Sequence, residues 1–537
     1  MNNTGEFRRQ NRPSTANSPN PPEDSVSLRS WIAVMGAILG AFMAVLDIQI
    51  TNASLQDIQA ALGATLEEGS WISTAYLVGE IVVIPLTGWL SQVFSPRWYL
   101  VVNAGLFTFF SVCCAWAWNL PSMIVFRALQ GFTGGVLIPM AFTIILTMLP
   151  ATKQPIGMAL FAITAVFAPA IGPTIGGWLT ENFSWHYIFY LNIIPGLVLM
   201  GAVWYGLNRQ PLQLHLLKGG DWFGIISMAI GLGSLQVVLE EGSRKDWFES
   251  TLIVRLAIVA AIFLTLFLWI ELTRKRPFIN LRLLTRRNFG LANIINIALG
   301  VGLYGSVYVL PLYLAQIQDY NALQIGEVIA WLGVPQLFIV PFVPKLMQRF
   351  DLRLLIGVGV SLFAISCFMN STWTHETGID QLRVPLLVRA FGQPLIFIPL
   401  STIATAGIEK EQAGSASGLF NMMRNLGGSI GIAVLATLLT QREQFHSNRL
   451  GEAVSLYSPE TQERINQLTQ YFISRGADLS TAQNQAIASI DNIVRREAFV
   501  MAFNDCFYFI AWALLLSGIA ILFFKKVKAA GGGAGAH

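Results

Sequence analysis

Charge is scarce in this 537-residue chain. Asp, Glu, Lys and Arg make up 12% of it, against 54% hydrophobic residues. A soluble globular protein carries roughly 25% charged residues, so the composition excludes an ordinary soluble domain. A formal net charge of +4 gives no basic surface of the kind nucleic-acid binding requires. Cysteine is rare as well. Cys113, Cys114, Cys367 and Cys506 all lie in apolar segments without a CxxC pair, which excludes a disulfide framework and a zinc site. The five histidines form no cluster, and neither HExxH nor GxSxG occurs. No GxxxxGK[ST] loop is present, and no loop on the basic side is long enough to fold a nucleotide-binding domain. The sequence therefore leads us to expect neither an enzyme, nor a cofactor, nor a metal.

What the chain has in quantity is long apolar runs. A spanning helix needs about 20 mostly apolar residues. Fourteen such runs stand out, at 31–55, 71–92, 98–118, 121–149, 155–180, 186–207, 222–240, 251–272, 288–315, 324–345, 353–372, 383–407, 413–440 and 500–524. The expected fold is an all-α integral membrane protein. Residues 1–28 are polar and patternless and read as a disordered cytoplasmic tail, and 529–537 read as a flexible tail. The first apolar run begins too late and runs too long for a signal peptide, so it reads as a retained span.

An even number of spans puts both termini on one side. With the N-terminus in the cytoplasm, the cytoplasmic segments collect twenty-one of the 34 Lys and Arg, and the short outside loops hold only Arg244, Lys245, Arg255 and Arg383. That asymmetry obeys the positive-inside rule. Segment 441–499 is the one sizeable stretch between spans, close to neutral and helix-like, and is expected as an outside helical hairpin. "RALQGFTGGVLIPM" (127–140) is echoed by "RAFGQPLIFIPL" (389–400), and "KQPIGMALF" (153–161) by "EQAGSASGLF" (411–420). The echoes predict two six-helix halves, 29–210 and 281–528, with two inserted helices in 211–280. Repeated halves around a midplane site are a usual build of secondary transporters.

An ionisable residue inside a span costs on the order of 2.5–3.5 kcal/mol, so each is a functional candidate. At 1.5 Å per residue, Asp47 lies ~24 Å from the inner face, Arg127 ~21 Å and Glu80 ~17 Å. One outer-central layer could hold all three within reach of one another. A carboxylate beside a guanidinium that never deprotonates can serve as a proton switch. Arg424 falls near mid-depth in span 13 and Arg389 at the depth of Arg127, both expected to bond carbonyls across the second half. Glu327 and Asp505 fall near outer span ends, where solvation is expected. "APAIGPTIGGWL" sets Gly172, Pro173, Gly176 and Gly177 at spacing suited to close helix packing with a bend.

Together these residues resemble a known family. "LDIQITNASL" (46–55), "RALQGFTGG" (127–135) and "GPTIGGWL" followed by "WHYIFYLNIIPG" (185–196) are similar to motifs of the fourteen-helix drug:proton antiporter branch of the major facilitator superfamily, in particular the EmrB-type export permeases of bacteria. The resemblance implies a major facilitator fold and proton-coupled export of hydrophobic or amphipathic compounds across the bacterial inner membrane. It implies a proton-relay role for Arg127, and it carries Asn52, Gln130 and Gly131 as motif residues of the cavity, beside Arg424. It also implies a periplasmic membrane-fusion adaptor and an outer-membrane duct as partners. A dedicated exporter of one endogenous metabolite, such as a siderophore, lipid or fatty acid, is the alternative on the same scaffold. One motif departs from the family. The loop normally written G-x-L-a-D-r-x-G-r-[RK] reads "GWLSQVFSPR" (88–97), which keeps Gly88 and Arg97 but puts Gln92 in the acid's place and Ser95 in the glycine's. A charge-locked gate is therefore in doubt.

Overall fold

A computed structural model describes residues 26–274, 277–455 and 457–526. The two expected tails lie outside the described residues except at 26–28. All regular structure among the described residues is helical. By length and composition twelve helices among the described residues can cross a membrane, and two further segments qualify as helix pairs bent by 64° and 43°. With each bent pair counted once, the spans number fourteen.

Spans 1 to 6 are Leu28–Ala53, Trp71–Val83 with Thr87–Phe94, Pro96–Ala115, Leu120–Met148, Gln154–Asn182 and His186–Gly206. Spans 7 and 8 are Trp222–Glu241 and Thr251–Thr273. Spans 9 to 14 are Arg287–Gln316, Leu323–Arg349, Leu352–Asn370, Ile379–Thr405, Lys410–Ala453 and Leu479–Phe523. Helices suit these residues because lipid offers backbone groups no partner, so each span must bond within itself. Polar caps mark several starts. Asn119 and Ser122 cap span 4 reciprocally, Asn321 and Gln324 do the same for span 10, and Asp221 Oδ1 accepts from Gly224 N at 2.9 Å to start span 7. Pro85 stands in the break of span 2, where its missing N–H leaves the helix unable to continue straight. Pro169 precedes the bend of span 5 in the same way.

Span 1 packs on spans 4, 5 and 6, and span 9 on spans 12, 13 and 14. Between these groups span 13 meets spans 2 and 4, while span 5 meets spans 10 and 12. The inserted span 7 is not peripheral. Its Glu241 accepts from Ser70 Oγ at 3.0 Å and Thr74 Oγ1 at 2.7 Å on the span 2 side, and its Gln236 bonds Ser429 of span 13 at 2.9 Å.

In the 441–499 segment two of the helices are continuous with spans 13 and 14. The helix of span 13 runs unbroken for 41 residues, Ala413–Ala453, and that of span 14 for 40, Leu479–Gly518. At 1.5 Å per residue each is roughly 60 Å long, about twice the hydrocarbon core. Both therefore project as continuous rods, and a shorter helix, Pro459–Ser474, turns at Gly476 (φ 94°) and lies against the second rod. Asp505, expected to be solvated, instead pairs with Arg442 and His446 and ties the rods together.

Candidate functional site

Asp47 and Arg127 meet. Arg127 Nη1 donates to Asp47 Oδ2 at 2.6 Å, and both side chains are 1% exposed. The same nitrogen reaches Gln130 Oε1 at 2.9 Å, and Gln130 Nε2 donates to Asp47 Oδ1 at 2.9 Å. Asn192 Nδ2 adds a third donor to the carboxylate at 2.7 Å and bonds Ser111 Oγ at 3.0 Å. The guanidinium lies 4.4 Å from the Tyr76 ring centroid, a desolvated cation–π contact. Spans 1, 2, 3, 4 and 6 thus converge on one charge pair. Breaking a buried pair by removing one partner costs about 3–5 kcal/mol, because the remaining charge is stranded. Asn192 and Ser111 escaped sequence reasoning. Asn192 lies in the quoted stretch "WHYIFYLNIIPG", and its one signal is an amide among apolar neighbours.

Glu80 does not join this layer, which corrects the expectation from depth. It sits one turn beyond Tyr76 on span 2, 4% exposed, and accepts from Asn425 Nδ2 at 3.1 Å on span 13. Four residues on, Glu80 keeps nearly the same face of the helix as Tyr76 but stands about 6 Å further along it, where its partner comes from span 13. Next to Asn425, Arg424 donates to Asn421 Oδ1 at 2.9 Å and stacks 5.4 Å from the Phe397 ring, while its Nη1 is buried without a partner. Arg389, expected on carbonyls, lies 4.7 Å from the Phe363 ring with its Nε unpartnered.

The small residues act through packing. A Cβ on Gly131 would stand 2.7 Å from the Tyr76 carbonyl carbon, and one on Gly79 would stand 2.7 Å from Phe132 N, so spans 2 and 4 touch backbone to backbone. Gly172 faces Gln49, and Gly176 would meet the Ile50 carbonyl oxygen at 2.9 Å, both on span 1 beside Asp47. Pro173 and Gly177 on span 5 are half-buried. Asn52 is exposed at the end of span 1 and accepts from Ser73 Oγ at 2.6 Å. Gln130 and Gly131 are consumed by the charge pair and by helix contact.

At the opposite end of the bundle, the second helix of span 2 meets the start of span 13. A Cβ on Gly88 would lie 2.6 Å from the Gly414 carbonyl carbon, and Gln92 Nε2 donates to Glu411 O at 3.2 Å. No ion pair is recorded there among the described residues. Arg97 instead stacks 4.0 Å over the Trp204 ring. Ser95 holds φ 66°, a backbone setting that favours glycine, with its hydroxyl buried and unpartnered. The same end holds a cavity of about 740 Å³ between spans 5, 10 and 12, lined by Leu146, Ala159, Ile163, Pro344 and Thr402 with Lys345 and Lys410. None of Asn52, Gln130, Gly131 and Arg424 lines it. Among the described residues no group of three or more His, Cys, Asp or Glu could hold a metal.

Comparison with known proteins agrees with this architecture. The Major Facilitator Superfamily model matches residues 37–432. The colistin resistance protein EmrB of Acinetobacter baumannii is 34% identical over 93% of this chain and 97% of its own. The fatty acid resistance protein FarB of Neisseria gonorrhoeae is 32% identical over 91% of this chain and 94% of its own. The multidrug export protein EmrB of Escherichia coli is 31% identical over 94% and 98%. Among solved structures, the human organic anion transporter MFSD10 superposes with a TM-score of 0.58 at 12% identity, over 92% of this chain and 99% of that one, a likeness of fold. With fourteen spans, a charge pair buried where spans 1 and 4 meet and a family match over most of its length, the chain belongs to the major facilitator superfamily.

Proposed function

We propose that this chain is a proton-coupled antiporter that exports hydrophobic or amphipathic drug-like compounds across a bacterial inner membrane. The observation that carries the proposal is the Asp47–Arg127 pair, sealed at 1% exposure in a chain with few charges. A proton on Asp47 cancels the pair and leaves Arg127 facing only neutral acceptors. Protonation therefore changes what holds spans 1 and 4 together, and a carboxylate that swaps Arg127 for a proton couples proton entry to helix movement. The family membership and the names of the relatives, for multidrug export and colistin resistance, support drug export. The cavity of about 740 Å³ is of a size that takes a drug-sized molecule, and its lining suits an apolar cargo.

In this reading the basic end faces the cytoplasm and carries both termini, and Gly88 and Arg97 belong to a gate there. Residues 29–210 and 281–528 move as two halves, with 211–280 inserted. Gly172, Pro173, Gly176 and Gly177 form the hinge of span 5, while Glu80 and Arg424 line the path between the halves. The rods of spans 13 and 14 reach toward a periplasmic adaptor and an outer-membrane duct. A dedicated exporter of one metabolite, a fatty acid among them, is the second reading, supported by the name of the Neisseria relative.

The test is proton-driven efflux from inverted vesicles carrying Asp47→Asn. The variant should insert and purify like the parent yet show no dye transport on acidification. Parental transport by this variant would end the proton-coupling role of Asp47.

A further inference from the structure

The inserted helices carry a second buried acidic site, far along the chain from Asp47. Asp221 caps the start of span 7, and Glu271 lies in the last turn of span 8; each is 1% exposed. Both stand against Gly224, where an added Cβ would lie 2.7 Å from Asp221 Oδ2 and 3.0 Å from Glu271 Oε1. Asp221 Oδ1 is fully used, accepting from Gly224 N and pairing with Arg274. Asp221 Oδ2, Glu271 Oε1 and Glu271 Oε2 are buried with no side-chain hydrogen-bond partner.

The charge count is the difficulty. Two carboxylates against one guanidinium leave one negative charge uncompensated, and an uncompensated buried charge costs several kcal/mol. The charged groups that act on Glu271 are Asp221 and Arg274, and the backbone N–H groups of Phe278 and Ile279 donate to its carboxyl. Arg274 is already committed to Asp221. A hard cation is a poor remedy, since Ca²⁺ takes about 6–8 oxygens and three are offered here. One proton fits. Placed on Glu271, it removes the uncompensated charge and leaves Asp221 and Arg274 as a neutral pair.

We propose that Asp221 and Glu271 share one bound proton, a proton-binding site in the inserted helix pair separate from the Asp47–Arg127 pair. Loss of that proton sets two like charges across spans 7 and 8, so the packing of the inserted pair answers to pH at the basic end of the bundle.

The test is independent of transport and of the role of Asp47. Purified full-length protein in lipid nanodiscs is treated with dicyclohexylcarbodiimide, which modifies carboxyls that are protonated in apolar surroundings, and peptides are read by mass spectrometry. The expected result is modification of Glu271 at neutral pH, diminished at alkaline pH and unaffected by sodium chloride. No modification of Glu271 at neutral or acidic pH would overturn the proposal, and protection by sodium would overturn it in favour of a metal-ion site. Thermal unfolding supplies the second readout. Glu271→Gln, which mimics the protonated acid, should unfold at the parental temperature, whereas Asp221→Asn, which strips Arg274 of its partner, should unfold lower. An equal fall in both variants would mean that Glu271 is an ionised partner of a cation, and would overturn the shared proton.

Discussion

Arg127 shows why a guanidinium, rather than any positive charge, occupies its place. One nitrogen serves Asp47 and Gln130 together, and the flat group lies on the Tyr76 ring. A lysine ammonium is a point charge that can hold Asp47 but can neither lie flat on the Tyr76 ring nor also reach the Ile72 carbonyl, as Arg127 Nε does at 3.4 Å. Arg127→Lys should therefore insert normally and lose at least about tenfold in transport rate, since each charge-assisted hydrogen bond is worth ~1.5–3 kcal/mol. Parental rates in the vesicle assay would reduce Arg127 to a simple counter-charge. These two residues were legible in the sequence because an ionisable group in an apolar run has few reasons to be there. Asn192 and Ser111 were not, since small polar residues cost little inside a span and do not stand out. Glu80 was legible as an acid within a span, but its partner on span 13 was not, because which helices pack against one another is set across the whole bundle.

Among the elements, the inserted spans are the ones whose role the sequence conceals. Hydropathy located spans 7 and 8 as two more crossings, with nothing to say which neighbours they meet. The structure joins span 7 to both groups of spans, through Glu241 to Ser70 and Thr74 and through Gln236 to Ser429. Glu241→Ala would leave Thr74 Oγ1 without its buried acceptor, at a cost of about 1–3 kcal/mol. Its thermal midpoint in detergent should fall well below that of the parent, and an unchanged midpoint would show that span 7 is only appended. The 441–499 segment carries a similar lesson. Its composition announced helices, but the continuity of the rods through residues 441–453 and 479–499 depends on the absence of any breaker at the membrane boundary, and a hydropathy window does not register an absence.

At the scale of the molecule, the two groups of spans meet most tightly where backbone meets backbone. Gly88 lies against Gly414, and close by Ser417 Oγ donates to the Pro139 carbonyl at 2.7 Å in a wholly buried position. Gly88→Val puts a branched side chain into that seam and should favour the arrangement in which the seam is parted. A cysteine placed at Ser417 should then react with a water-soluble maleimide in the Gly88→Val background and resist it otherwise. Equal reactivity in both would show that the seam does not govern access. Nothing in the sequence signals this contact, since its two glycines lie in separate halves of the chain and neither carries a side chain from which to infer a partner.

A seam of this kind has a physical character of its own. Closure by charged loops weakens as ions screen it, over a Debye length of about 8 Å at physiological salt. Closure by two glycines and an amide resting on a carbonyl depends on shape, so dissolved salt leaves it alone. As the gate proposed above, such a seam would be equally firm in brackish and dilute surroundings, and only volume, a methyl group or a cargo molecule, could wedge it open.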